Sequence, residues 1–130
     1  MKKKIVITGA LGYLGAELCK LYSGESRYHK IIAIDDRFVS EIVNQLRNWN
    51  IEFFQVEILN KSSLQVHLED ADVAYHLAGI TDVPYVKNES SQKLDDEIKK
   101  VGIEGTNNIL ESIPKNCKII FPSTHVIFEG

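Results

Sequence analysis

The sequence has few of the features that mark membrane proteins, disulfide-rich secreted proteins and nucleic-acid-binding proteins. Its two cysteines, Cys19 and Cys117, lie in no Cys-x-x-Cys or Cys/His pattern, so neither a metal site nor a disulfide framework is expected. No run of about 18 apolar residues is present, and no membrane-spanning helix is expected. Lys and Arg number 15 and Asp and Glu 18, a net charge of −3. This balance predicts no basic surface for nucleic acid.

No secretion signal is expected in the N-terminal residues. Lys2–Lys4 carry positive charge, but the apolar stretch Ile5–Ile7 is too short for the hydrophobic segment of a signal peptide. We therefore expect reduced thiols and a cytoplasmic location. The chain has 130 residues, 44% of them apolar and 25% charged. These values predict a single globular domain over residues 1–130.

Short apolar runs alternate along the chain with segments of helical periodicity. Because the runs are continuous, they are typical of strands buried on both faces of a parallel sheet. The predicted strands are Lys3–Thr8, Ile31–Ile34, Ile51–Val56, Val73–Leu77 and Lys118–Phe121. The other predicted segments are helices from Tyr13 onwards and over Val39–Trp49, Lys61–Leu68 and Ser91–Ser112, and a loop over 80–90.

This order predicts an α/β fold with a doubly wound parallel sheet of the Rossmann type. We expect about five parallel strands in the order 3-2-1-4-5, with helices on both faces. Gly102 and Gly105 lie inside the last helix and each costs about 1 kcal/mol there, so we expect that helix to approach the sheet closely. The fifth strand forms an open edge in this arrangement, and we expect the chain to self-associate along it.

Three glycines separate the first strand from the first helix. In a dinucleotide-binding turn, Gly9 would permit the tight turn, Gly12 would let a pyrophosphate approach the backbone, and Gly15 would let the helix pack closely. The helix N-terminus would then offer free N–H groups to the phosphates. A glycine-rich turn that binds nothing is the alternative.

An acid at the end of the second strand supports the dinucleotide interpretation. Asp35 follows Gly15 by 20 positions, where a carboxylate accepts hydrogen bonds from the adenosine ribose. Its charge repels a 2′-phosphate, so we expect NAD rather than NADP. Arg37 is the one nearby residue that favours NADP, because an arginine there can bind a phosphate.

The segment Thr8–Gly15, TGALGYLG, resembles the TGxxGxxG turn of the extended short-chain dehydrogenase/reductase family, the NAD-dependent epimerases and dehydratases of nucleotide-sugars. The resemblance covers essentially the whole chain and corresponds to the N-terminal Rossmann part of the family. It implies an oxidoreductase in which a hydride passes between the nicotinamide and a sugar carbon.

Further segments resemble motifs of the same family. Asp35–Asp36 matches its strand-end acid, Glu57–Ile58 its acidic and aliphatic pair beside the adenine, and 76–79 (HLAG) its HxAG segment. Residues 105–110 (GTNNIL) resemble its GTxNLL helix pattern, and Thr124 matches its catalytic hydroxyl. The cofactor-binding residues that the resemblance implies are Gly9, Leu11, Gly12, Tyr13, Leu14, Gly15, Asp35, Asp36, Arg37, Glu57, Ile58, Leu77, Ala78, Gly79 and Thr81.

The sequence departs from the family pattern in the residues of catalysis. The family's acid/base is a tyrosine whose pKa is lowered by a lysine four residues later, and none of the five tyrosines here has such a lysine. Gly102 stands where the family usually has an asparagine, and we expect His76 to be a core residue rather than a catalyst. The resemblance thus implies a chain that binds the cofactor but needs a further C-terminal part for its nucleotide-sugar. A non-catalytic NAD-binding module for regulation or assembly is the alternative.

Overall fold

The computed structural model describes residues 2–25, 27–78 and 91–121, with the side chains of the last range described from 102 onwards. Strands and helices alternate along these ranges. The strands are β1 (Lys3–Thr8), β2 (His29–Asp35), β3 (Glu52–Gln55), β4 (Val73–His76) and β5 (Lys118–Ile120). The helices are α1 (Tyr13–Leu21), α2 (Ser40–Asn48), α3 (Lys61–Leu68) and α4 (Ser91–Ser112), and a 3₁₀ turn over Tyr22–Gly24 follows α1.

The five strands form one parallel sheet in the order β3-β2-β1-β4-β5. β1 lies at its centre, and Ile7 pairs with Ala33 of β2 on one side and with Tyr75 of β4 on the other. The predicted fold class and strand order are therefore confirmed. Because all the strands are parallel, the residues that end β1, β2 and β4 meet at one edge of the sheet.

Helices cover both faces of the sheet. α1 and α2 pack on one face, where Cys19 is fully buried, and α3 and α4 pack on the other around Leu64. Val6 and Ile7 of β1 are both completely buried, and they belong to the cores on opposite faces. Burial on both faces explains why the strands are continuous apolar runs. In the described part of the chain, no helix is both long enough and apolar enough to cross a membrane.

Main-chain hydrogen bonds explain why some strands begin or end at residues other than those predicted from the sequence. β2 begins at His29 because its ladder with β1 continues through Lys3 and Lys4, although polar residues stand at these positions. β3 is shorter than predicted, since the Ile51 N–H donates to the Leu46 carbonyl at the end of α2. β1, α3 and α4 have the predicted bounds. The predicted loop over 80–90 lies outside the described residues.

The two glycines inside α4 have different surroundings. A Cβ on the buried Gly105 would lie 2.8 Å from the Cγ1 of Ile58, and closer still to its Cδ1. A Cβ on Gly102 would meet no other described residue within 4 Å. The expected close approach to the sheet is therefore wrong at Gly102, and at Gly105 the close partner is Ile58 in the loop after β3 rather than a strand.

The glycine pair predicts opposite effects of one added methyl group. Gly102→Ala gains helix propensity in open space and should stabilise the chain by about 1 kcal/mol. Gly105→Ala gains the same propensity but overpacks Ile58, so its free energy of unfolding should lie about 1–3 kcal/mol below that of Gly102→Ala. Urea titrations of both variants and the wild type measure this difference.

Ile58→Val provides the control, because it removes the Cδ1 methyl nearest to position 105. In that background, the difference between the two alanine variants should shrink. Equal stabilities of the two variants in the wild-type background would show that α4 does not depend on the missing side chain.

Candidate cofactor site

The turn after β1 is held by close contacts within the protein. Gly9 adopts a φ of +69°, and a Cβ there would lie 2.7 Å from the main-chain nitrogen of Ala78. A Cβ on Gly15 would lie 2.7 Å from the Cα of Ala10, so α1 starts directly against the turn. Packing alone thus requires glycine at these two positions.

Gly12 differs from the other two glycines because a Cβ there would make only ordinary van der Waals contacts with the described residues. The nearest atoms to a Cβ on Gly12 would be the Gly9 carbonyl oxygen at 3.4 Å and Arg37 Nη2 at 3.7 Å. Gly12 is the N-cap of α1, where no side chain caps the helix and no acidic residue lies in the first turn. The N–H groups of that turn have no intrahelical acceptors. The start of α1 thus presents main-chain N–H groups at the positive end of the helix dipole, an arrangement that suits an anion.

Asp35 lies beside this turn and is almost fully buried. Its Oδ2 accepts a hydrogen bond from the Leu11 N–H at 2.8 Å, and its Oδ1 accepts one from the Arg37 N–H at 2.9 Å. The Arg37 guanidinium also contacts both oxygens, with Nε 3.2 Å from Oδ1 and Nη2 3.4 Å from Oδ2. Burial alone would raise the pKa of Asp35, but the hydrogen bonds from Arg37 and Leu11 outweigh it and lower the pKa. Asp35 is therefore an anion at neutral pH.

The remaining predicted residues occupy distinct positions around the turn. Tyr13 and Leu14, at the start of α1, are large side chains exposed to solvent. Asp36 is also exposed, and partial burial and the neighbouring Asp35 raise its pKa. Glu57 is exposed as well, whereas the Ile58 side chain packs under α4. Three predicted residues lie outside the described ranges: Gly79, Thr81 and Thr124.

A chain of hydrogen bonds joins β1, β4 and α4 directly below the glycine turn. Thr8 Oγ1 accepts from the N–H groups of Leu77 and Ala78, each at 3.1 Å, and lies 3.0 Å from His76 Nδ1. Since both lone pairs of Oγ1 are used, the hydroxyl donates its proton to Nδ1. The proton of the neutral ring is then on Nε2, which donates to Thr106 Oγ1 at 3.0 Å. His76 is a buried core residue with both ring nitrogens hydrogen-bonded, as expected of a core position.

Burial lowers the pKa of His76 to about 4. The His76 and Phe121 rings also meet in a T-shaped arrangement, with ring centroids 5.6 Å apart. Burial favours the neutral imidazole that the hydrogen bonds require, so the bonds of His76 to Thr8 and Thr106 stay intact at neutral pH.

α4 also holds the turn after β3. Asn108 Nδ2 donates to the Ile58 carbonyl at 2.8 Å, one helical turn from the contact between Gly105 and Ile58. The roles of Thr8, Thr106 and Asn108 were not predicted, although all three lie in segments that resemble family motifs. Among the described residues, no three acidic, His or Cys side chains are grouped to hold a metal ion.

The sequence of the chain matches a known protein family. The model of the 3-beta hydroxysteroid dehydrogenase/isomerase family matches residues 6–130. The chain belongs to this family. The predicted membership of the extended short-chain dehydrogenases/reductases is confirmed by the same match and by the relatives that follow.

Two curated members of the family and one solved structure show the extent of the likeness. A UDP-N-acetyl-alpha-D-glucosaminuronate decarboxylase of Bacillus cytotoxicus is 28% identical, over 98% of this chain and 38% of that protein. A dTDP-D-glucose 4,6-dehydratase of Dictyostelium discoideum is 29% identical, over 97% of this chain and 30% of that protein. The crystal structure of a dTDP-glucose 4,6-dehydratase from Bacillus anthracis in complex with NAD matches with a TM-score of 0.67 and 21% identity, over 92% of this chain and 36% of that one. The chain thus spans about a third of the length of the curated relatives it matches.

The hydrogen-bonded, neutral state of His76 predicts a specific dependence of the free energy of unfolding on pH. The folded chain keeps His76 neutral down to about pH 4, whereas a histidine in the unfolded chain takes up a proton near pH 6.5. Stability is therefore lost as pH falls from about 6.5 to 4, by on the order of 3 kcal/mol. His76→Gln cannot take up this proton, so urea midpoints measured across this range should show a smaller loss.

His67 of α3 is the matched control, because its pKa is also lowered but its side chain is half-buried. His67→Gln should leave most of the pH dependence in place. Identical pH profiles for the wild type and His76→Gln would disprove the assignment of a buried, neutral His76.

Proposed function

We propose that the chain is the NAD-binding part of a nucleotide-sugar oxidoreductase of the epimerase/dehydratase type. The glycine turn at the start of α1 carries this proposal. Packing within the protein requires glycine at positions 9 and 15, whereas a Cβ on Gly12 would make only ordinary van der Waals contacts with the described residues. Gly12 is the N-cap of α1, and a pyrophosphate is suited to the positive end of that helix.

The proposed contacts follow the carboxyl edge of the sheet. Gly12 and the first turn of α1 would bind the pyrophosphate, and Asp35 would accept from the adenosine ribose hydroxyls. Glu57 and the Ile58 main chain would lie at the adenine, and Leu77–Ala78 at the nicotinamide half. The wider proposed set adds Gly9, Leu11, Tyr13, Leu14, Gly15, Asp36, Arg37, Gly79 and Thr81.

We propose NAD as the cofactor because the Asp35 carboxylate is ionised and its charge opposes a 2′-phosphate. When bound, the nicotinamide supplies the hydride acceptor or donor. The curated relatives act, by their names, on a UDP-sugar and a dTDP-sugar, and this supports a nucleotide-sugar as the substrate of the whole enzyme. The free thiols of Cys19 and Cys117 are compatible with our proposal of a cytoplasmic location.

Thr124 is proposed as the catalytic hydroxyl that orients the sugar. The acid/base would be a tyrosine with a lysine four residues later, and the 130-residue sequence contains no such pair. We therefore propose that this chain binds the cofactor without turnover by itself.

Replacing the ribose acid tests the cofactor assignment. Asp35→Ala removes a charged acceptor of two ribose hydroxyls, so NAD binding should weaken about 10- to 100-fold. NADP binding should weaken less, because the same change removes the repulsion of the 2′-phosphate. Calorimetric titrations of the wild type and the variant with each dinucleotide measure both effects.

Asp36→Ala is the matched control, since it removes the same charge from the neighbouring exposed residue. It should change both affinities much less than Asp35→Ala. Equal losses of NAD and NADP affinity in Asp35→Ala would exclude Asp35 as the residue that selects NAD. In the same samples, reduction of NAD by a nucleotide-sugar would contradict the proposed lack of turnover.

We also propose that the chain self-associates along β5. In the described sheet, β5 pairs with β4 on one side, and its burial pattern is exposed at Lys118 and intermediate at Ile119 and Ile120. A second copy would pair with the main-chain groups of β5 that have no strand partner in the described sheet. The sedimentation coefficient should therefore rise with protein concentration, and a strictly monomeric profile at high concentration would refute the proposal.

A further inference from the structure

We propose that Thr106 is a positioning residue for the nicotinamide half of the cofactor. Acting through His76 and Thr8, the Thr106 hydroxyl fixes the segment of Leu77 and Ala78, on which that half would lie. This inference rests on the proposed function of the same site, and it adds a residue of α4 that acts through the protein rather than by contact with the ligand.

The sheet topology places the segment of Leu77 and Ala78 beyond the proposed pyrophosphate. β2, which ends in Asp35, lies on one side of β1, and β4 lies on the other. The strand order reverses between β1 and β4, and ligands of doubly wound sheets lie across this point. A dinucleotide with its adenosine ribose at Asp35 and its pyrophosphate at the glycine turn therefore extends over the end of β4. A Cβ on Gly9 would lie 2.7 Å from the Ala78 nitrogen, so the segment after β4 packs directly against that turn.

The Thr106 hydroxyl stabilises the tautomer of His76 that this segment needs. Thr106 Oγ1 lies 3.0 Å from Nε2 and accepts its proton, so Nδ1 is left as an acceptor for the Thr8 hydroxyl, also at 3.0 Å. Because Thr8 donates its own proton to Nδ1, both lone pairs of its oxygen are available for the N–H groups of Leu77 and Ala78, each at 3.1 Å. One hydroxyl on α4 thus supports three hydrogen bonds at the end of β4.

Loss of the Thr106 acceptor would disturb this arrangement because His76 is buried. A buried N–H group without an acceptor is costly, and the ring avoids that cost by turning away or by moving its proton to Nδ1. In the first case Thr8 loses the acceptor of its own proton. In the second case the Nδ1 proton competes with Leu77 and Ala78 for the lone pairs of Thr8. Either change loosens the segment after β4.

The adenosine side of the site is held by other bonds. Asn108 Nδ2 donates to the Ile58 carbonyl at 2.8 Å, beside the proposed adenine. The ribose acid Asp35 accepts from the Leu11 N–H of the glycine turn at 2.8 Å. Neither bond passes through the histidine. Removal of the Thr106 hydroxyl should therefore weaken the binding of the nicotinamide half and leave that of the adenosine half unchanged.

Titration calorimetry of Thr106→Val with NAD and with ADP tests the inference. Valine has nearly the shape of threonine but no hydroxyl, and ADP carries the adenosine and both phosphates of NAD without its nicotinamide half. NAD should bind about three- to tenfold more weakly than to the wild type, which corresponds to the loss of one hydrogen bond. The affinity for ADP should stay within about twofold of the wild-type value.

Two further variants of α4 serve as controls. Thr106→Ser keeps the hydroxyl and should retain most of the NAD affinity that valine loses. Ser112→Ala removes another hydroxyl of the same helix, which belongs to a buried residue and donates to the Asn108 carbonyl at 2.7 Å. It should lower the free energy of unfolding, yet its ratio of NAD to ADP affinity should equal that of the wild type.

Nitrogen NMR of the wild-type chain examines the same coupling even if Thr106→Val does not fold. The His76 imidazole should carry its proton on Nε2, and NAD should shift the amide resonance of Ala78. ADP should shift this resonance much less, since it has no group beyond the pyrophosphate. A proton on Nδ1 of His76, or an Ala78 amide that does not respond to NAD, would overturn the inference.

The outcomes separate this inference from the function on which it rests. A wild-type chain that binds neither NAD nor ADP would overturn the proposed function. A wild-type chain that binds both, together with a Thr106→Val variant whose affinities for NAD and ADP are unchanged or fall by the same factor, would overturn the role of Thr106 alone.

Discussion

The hydroxyl of Thr8 is the interaction on which the rest of the site depends. β1 and β4 are neighbours at the centre of the sheet, and their chains diverge after Thr8 and His76. By accepting from Leu77 and Ala78 and donating to His76, this hydroxyl keeps the two diverging segments together. Only because they stay together does Ala78 lie against Gly9. In a buried, low-dielectric position, such a fully satisfied network is strong and specific.

Asp35 joins the end of β2 to the hydrogen-bonded ends of β1 and β4. Its bond to the Leu11 N–H ties the end of β2 to the glycine turn, so three strand ends are linked by hydrogen bonds at one edge of the sheet. The carboxylate thereby supports the turn, and these main-chain bonds account for its near-complete burial. The guanidinium of Arg37, whose side chain is exposed, is its ion-pair partner.

The sequence predicted well whatever depends on local pattern. Continuous apolar runs and the spacing of Gly9, Gly12, Gly15 and Asp35 were sufficient for the strand order and for the place of the turn. Long-range partners were not predictable in this way. The ion pair between Arg37 and Asp35 depends on a side-chain rotamer, and Gly102 and Gly105 look alike in sequence although only Gly105 faces Ile58. The partner of His76 is Thr106, 30 residues away, and such a contact arises only from the packing of α4 on the sheet.

α4 touches both ends of this edge through residues within a single turn of helix. Gly105 and Asn108 hold the segment at Ile58, and Thr106 holds His76 at the end of β4. A helix turn is rigid over this length. The separation between the segment after β3 and the segment after β4 is therefore fixed by the geometry of one helix. A tilt or shift of α4 moves both segments together, so neither can adapt to a longer or shorter ligand while the other stays in place.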